Sequence, residues 1–165
     1  MSIVLNSDFV GKYELTLTQY NTDLIDSYIE RYEKQYLIKL LGGQLYDLFK
    51  ANLVAGVPTS AIYLSIFNAL YIDLYNVTLV SNGIKEMLTG FIYYHYTLDQ
   101  QQAQTSVGVV ASKSENSEGI NMNHISQNRF NENVESFNAI QSYIKQNSIN
   151  YPTFNGSFIK LQYHL

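Results

Sequence analysis

The side chains able to do chemistry are few and scattered. Three histidines occur, His95, His124 and His164. None lies three or four residues from another, so the spacings used for zinc are missing. His95 falls on an apolar stretch, where it reads as a hydrogen-bonded core residue. His124 stands beside a helix start and reads as surface, and His164 is in the tail. Four carboxylates, Asp23, Asp26, Glu30 and Glu33, share one strip of a predicted helix. A di-metal site of the helical-bundle type needs Glu-x-x-His partners on other helices, and the sequence contains none. With Arg31, Lys34 and Lys39 on the same helix, the strip reads as a solvated face with i,i+4 pairing. Serines are frequent, yet no Gly-x-Ser-x-Gly elbow occurs. Cysteine is absent, which removes a thiolate nucleophile, a thiolate zinc site and any disulfide framework. In "GVVASKSENSEG", Gly108 and Gly119 are too far apart, and the order around Lys113 is wrong, for a phosphate loop. No catalytic residue, metal ligand or cofactor is assigned.

The elements that would position these side chains are mostly helical. Residues 1–15 have no helical period and read as an extended arm. Ile25, Tyr28, Ile29, Tyr32, Tyr36, Leu37 and Leu40 recur at spacings of three and four, forming one stripe. Thr22 is placed to cap that helix and Gly42-Gly43 to end it. "QLYDLFKANL" is a second short helix with Leu45, Leu48, Phe49 and Leu53 on one side. "AGVPTS" is a turn, after which Thr59 or Ser60 caps "AIYLSIFNAL". Residues 70–81, "LYIDLYNVTLVS", suit either a strand or a buried irregular link. The next helix, capped by Ser81 or Asn82, is apolar nearly all round, with Ile84, Met87, Leu88, Phe91, Ile92 and His95 inward. It must therefore be central. Gly90 within it allows close approach of another helix. A polar insertion follows, and a last helix over roughly 124–147 carries Ile125, Phe130, Val134, Phe137, Ile140 and Ile144. Pro152 stops it, and the tail alternates in a strand-like way. The expected fold is a single, mainly α domain of four to five helices. It has a long polar insertion over 103–120, able to form a β-hairpin, and extended N- and C-terminal arms, the latter over 150–165.

Bulk properties bound the partners. The chain has 165 residues, 46% of them hydrophobic and 15% charged, with a net charge of -4. Ten Lys+Arg leave no basic footprint for a dedicated nucleic-acid binder. No apolar run reaches membrane-spanning length, and "MSIVLNSDF" lacks the features of a signal peptide, so a soluble chain made in a cytoplasm is expected. The 15 tyrosines suit half-buried positions and interfaces, and an AT-rich codon bias would produce them as well.

Five stretches carry a resemblance: "YIERYEKQYLIKLLGGQLYDLF", "GIKEMLTGFIYYHY", "QTSVGVVASKSENSEG", "RFNENVESFNAIQSYI" and "YPTFNG". Together they resemble a family of small structural proteins of tailed phages and prophages of Bacteroidota, crAss-like phages included. The order of parts is similar to that of head–tail connector, or adaptor, proteins. The resemblance implies a virion protein at the head–tail interface, made in the host bacterial cytoplasm. It would form a ring, usually a dodecamer, under the portal, with the next neck or tail protein as a further partner. DNA would pass through without specific binding. It implies no catalytic residue set and no membrane. The insertion and the tail are then the reaching parts, so Thr105, Val107, Val109, Val110, Lys113 and Glu115, with Tyr151, Phe154, Phe158 and Tyr163, are the expected partner-binding residues. A tail-completion or tail-terminator protein, or another minor virion assembly protein, is the alternative.

Overall fold

The computed structural model describes residues 2–15, 21–101, 104–105, 108–109 and 122–162. The fold is mainly helical, as expected. Helix α1 (Thr22–Leu41) buries Ile25, Ile29, Tyr36, Leu37, Leu40 and Leu41, the stripe set by its apolar spacing. Its cap is Asn21, one residue before the expected Thr22: the Asn21 side chain accepts the Leu24 amide at 3.2 Å. Gly42 ends the helix at φ 79°, a conformation that favours glycine, with its amide on the Ile38 carbonyl. Helix α2 (Gly43–Ala51) buries Leu45, Tyr46 and Phe49. Leu48, expected on that side, faces out and Tyr46 takes its place.

Two short strands, β1 (Leu53–Val54) and β2 (Val57–Pro58), pair antiparallel around the expected turn. Asn52 Oδ1 then accepts the amides of Thr59 and Ser60 at 3.0 and 2.8 Å, organising the entry to α3 (Ala61–Phe67). The ambiguous segment 70–81 is a β-hairpin. Strand β3 (Leu70–Leu74) pairs antiparallel with β4 (Val77–Ser81), with Leu70 opposite Ser81 and Leu74 opposite Val77.

Helix α4 (Ile84–Gln101) is central. Ile84, Leu88, Phe91 and Ile92 are fully buried, because α1, α3, α5 and the N-terminal arm all pack on it. At Gly90 α5 packs close: a Cβ there would collide with the Asn133 side chain. Strands β5 (Gln104–Thr105) and β6 (Gly108–Val109) pair antiparallel between α4 and α5, which gives the described part of the insertion a hairpin pairing. Helix α5 (Met122–Gln146) completes the core with Phe130, Val134, Phe137, Ile140 and Ile144.

Both expected arms are folded onto the body. Residues 6–8 and 11–13 form two single turns of 3-10 helix; Ile3, Val4, Phe9 and Leu15 enter the core cluster, and Tyr13 is buried beside Asn133. The tail has no strand among its described residues. It is pinned to the end of α1, where the Asn155 amide meets the Leu41 carbonyl at 3.2 Å and the Ser157 amide the Lys39 carbonyl at 2.9 Å. A helix C-terminus leaves its last carbonyls without intrahelical donors, and the tail supplies them.

Candidate functional site

Between α1 and α4 runs a seam of rings. Tyr32 stacks on His95 at 3.9 Å, and Tyr36 stacks on Phe91 at 4.0 Å. Tyr28 meets the edge of Tyr96, and Phe91 reaches Phe130 and Phe137 on α5 edge to face. Such pairs add a modest geometric preference to the area they bury. The Tyr36 hydroxyl lies 2.8 Å from His95 Nε2. Burial pushes the His95 pKa down to about 4, and the Asp99 carboxylate opposes that only in part. Burial and the neighbouring phenols Tyr32 and Tyr94 raise the Tyr36 pKa above the usual tyrosine value. A neutral imidazole paired to a protonated phenol satisfies both groups, but His95 is half-buried beside the buried Tyr36 and not in the core, where the sequence placed it.

The carboxylate strip of α1 departs from expectation at one position. Glu33 is only 8% exposed. Its Oε2 accepts the Ser2 hydroxyl at 2.8 Å and the amides of Ile3 and Val4 at 2.9 and 3.0 Å. Glu33 is therefore an anchor for the N-terminal arm, since a buried carboxylate must find donors. Asp26 takes the Asn6 side-chain amide at 3.0 Å. Beside these contacts lies a cavity of about 530 Å³, with Ile29, Leu37 and Leu53 on its apolar side and Glu30, Lys34 and Lys50 among its charged lining. Farther along, the arm is held by ion pairs: Lys85 to Asp8 at 2.9 Å, and Lys12 to Glu86 at 2.9 Å and Glu132 at 3.6 Å. Burial works against the Lys12 ammonium, but bonding to Glu86 and contact with Tyr13 outweigh it, and its pKa is raised. Among the described residues, no group of three or more His, Cys, Asp or Glu side chains is placed to hold a metal ion.

Of the expected partner-binding residues, Thr105, Val109, Tyr151, Phe154 and Phe158 are among the described residues. Thr105 pairs with Gly108, and Val109 with Gln104, in the β5–β6 ladder. Val107, Val110, Lys113, Glu115 and Tyr163 lie outside the described residues. Tyr151 is corrected to a core residue: it is 2% exposed, and its hydroxyl donates to the Ile62 carbonyl at 2.6 Å beside Ser65 Oγ at 2.9 Å. Phe154 is half-buried. Phe158 is 53% exposed, with the Lys145 ammonium 3.8 Å above its ring, so it remains a surface group. Polar side chains of α5 hold the rest of the tail. Gln141 Nε2 donates to the Ser157 carbonyl at 3.3 Å, and Asn131 exchanges two hydrogen bonds with the Gln162 backbone, both at 2.8 Å.

One exposed feature was not singled out from the sequence. The β3–β4 hairpin carries Tyr71 and Tyr75 in solvent, at 74% and 96% exposure. The high β-propensity of 70–81 was its only signal.

No helix among the described residues is long and apolar enough to cross a membrane. No protein-family model, no curated protein and no solved structure matches the chain.

Proposed function

We infer that the protein is a structural component of a phage virion, a head–tail connector that forms a ring under the portal and joins it to the neck or tail. The observation that carries this reading is the order of parts. A helical body satisfies its own core and folds residues 2–15 and 151–162 onto itself, while an antiparallel pair, Gln104–Thr105 with Gly108–Val109, is set between its last two long helices. In this reading the insertion is a segment that meets another chain, and "TSVGVV" supplies the strand-forming part of it. Ring closure suits such a protein because weak contacts repeated around a closed symmetry become firm. The low basic content suits a channel in which DNA slides without being held.

The test is deletion of residues 105–117. The variant is expected to keep the circular-dichroism spectrum and melting transition of the wild type and to lose binding to the portal. Wild-type binding by the deletion variant would overturn the role given to the insertion. In a virion reconstruction, twelve copies around the portal axis support the connector. A different copy number, or a place on the tail tube away from the portal, would move the assignment to a tail-completion or tail-terminator protein or another minor virion assembly protein.

A further inference from the structure

Among the described residues the sheet formed by β3 and β4 has two strands, so each strand pairs along one edge. Ile72 and Ser81 are buried, and β4 packs on α5 more extensively than β3 does. The outer edge of β3 has no further backbone partner among the described residues. Free strand edges are templates for pairing with another chain, and soluble proteins ordinarily blunt them with lysine, proline or a bulge. "LYIDLYNVTLVS" contains neither lysine nor proline, and its strands pair in unbroken register. Its one charge, Asp73, accepts the Thr78 hydroxyl at 2.6 Å across the ladder.

The tip points the same way. Tyr75 and Asn76 form the turn at φ 47° and 70°. Asparagine tolerates that left-handed region, whereas a tyrosine there is strained. The Tyr75 ring is almost wholly in solvent, so the strain gains no packing within its own chain. Tyr71 and Val80 face each other across the strands at 74% and 58% exposure, and Val77 is 57% exposed. Strain held at an exposed position is a mark of function.

We propose that the hairpin Leu70–Ser81 is a self-association surface, its free edge and tyrosine-bearing face pairing with the same hairpin of a second copy of this chain. Charge narrows the occupants. The hairpin carries one carboxylate, Asp73, and no cation, so neither a nucleic acid nor an acidic peptide finds a counter-charge, while a second copy brings only one carboxylate, already hydrogen-bonded to Thr78. Area agrees: the two tyrosines, at roughly 150–250 Å² each when covered, supply about half of the ~800 Å² that each partner brings to a stable interface. Val80, on the same face as Tyr71, and the strand edge extend it. The proposal does not rest on the connector reading.

Molar mass is measured against concentration by sedimentation equilibrium for the wild type, Tyr71→Lys and Tyr75→Gly. The wild type is expected to associate reversibly, and each variant to weaken that association about tenfold or more, as the loss of a tyrosine hot spot does. Tyr75→Gly is also expected to melt higher than the wild type, because glycine relieves the turn. Weaker association together with higher stability cannot come from unfolding. A wild type that stays monomeric at all concentrations overturns the proposal. So do variants that associate as the wild type does, since association would then use another surface. Portal binding by the same variants is scored separately and bears only on the connector reading.

Discussion

Glu33 Oε2 lies 2.9 Å from the amide nitrogen of Ile3, so a carboxylate in the middle of α1 holds the first residues of the described chain. The same oxygen serves Ser2 and Val4, and the bond places Ile3 and Val4 in the core.

Removing that anchor has a defined cost. Glu33→Ala leaves two buried amides without an acceptor and is expected to lower stability by about 3 kcal/mol, given that a hydrogen bond to a charged group contributes roughly 1.5–3 kcal/mol. For a domain of this size the melting temperature would fall by about 6–12 °C. Glu33→Gln keeps an acceptor oxygen and should lose about half as much. Thermal unfolding of the two variants side by side checks the order.

His95 makes stability depend on pH. Burial holds its folded pKa near about 4, below the value of about 6.5 for a free imidazole. Between those values the unfolded chain binds a proton that the folded chain does not. Its contribution is therefore fully present above pH ~6.5 and is lost as pH falls toward ~4. Allowing for the partial exposure of the ring, the difference is about 1–2 kcal/mol. The stability difference between wild type and His95→Gln, followed by denaturant titration from pH 7 to 4, should shrink by that amount.

Phe91 joins α1 to α5 through its contacts with Tyr36, Phe130 and Phe137. Phe91→Ala should cost about 3–5 kcal/mol, the range for emptying a buried aromatic position. Phe91→Leu should recover most of it. Urea midpoints at constant slope would measure both.

Gly156 lies against α1 so closely that a Cβ would collide with the Leu40 carbonyl, a backbone atom that cannot swing aside. Gly156→Ala should destabilise by about 2–3 kcal/mol, as overpacking does. It should also loosen the tail, read as faster proteolytic cleavage after Lys160.

The helices were legible because their apolar residues recur at helical spacing. Ile25, Ile29 and Leu37 on α1, and Phe130, Phe137 and Ile144 on α5, are buried where that spacing puts them. Gly90 announced the close approach of α5. The hairpin at 70–81 was ambiguous because its turn is Tyr75-Asn76, with no glycine to mark it. Glu33 was misread because its donors lie 29 to 31 residues away, beyond the reach of any local pattern. The tail alternates like a strand, yet Asn131, Asn138 and Gln141 of α5 take up its carbonyls. Tyr36, Tyr46, Tyr96 and Tyr151 carry the residue type expected at interfaces and are spent inside the chain. Type alone does not say which side of a surface a ring will face.

Helix α1 binds residues 2–4 through Glu33 and residues 155–157 through the carbonyls of Lys39 and Leu41. During synthesis the helix leaves the ribosome more than about a hundred residues before the groups that complete its far end. Its final turn must therefore wait in water until residues 155–157 arrive. Docking of that segment follows formation of the helix it completes, and a nascent chain stalled before Asn155 would hold an open-ended bundle.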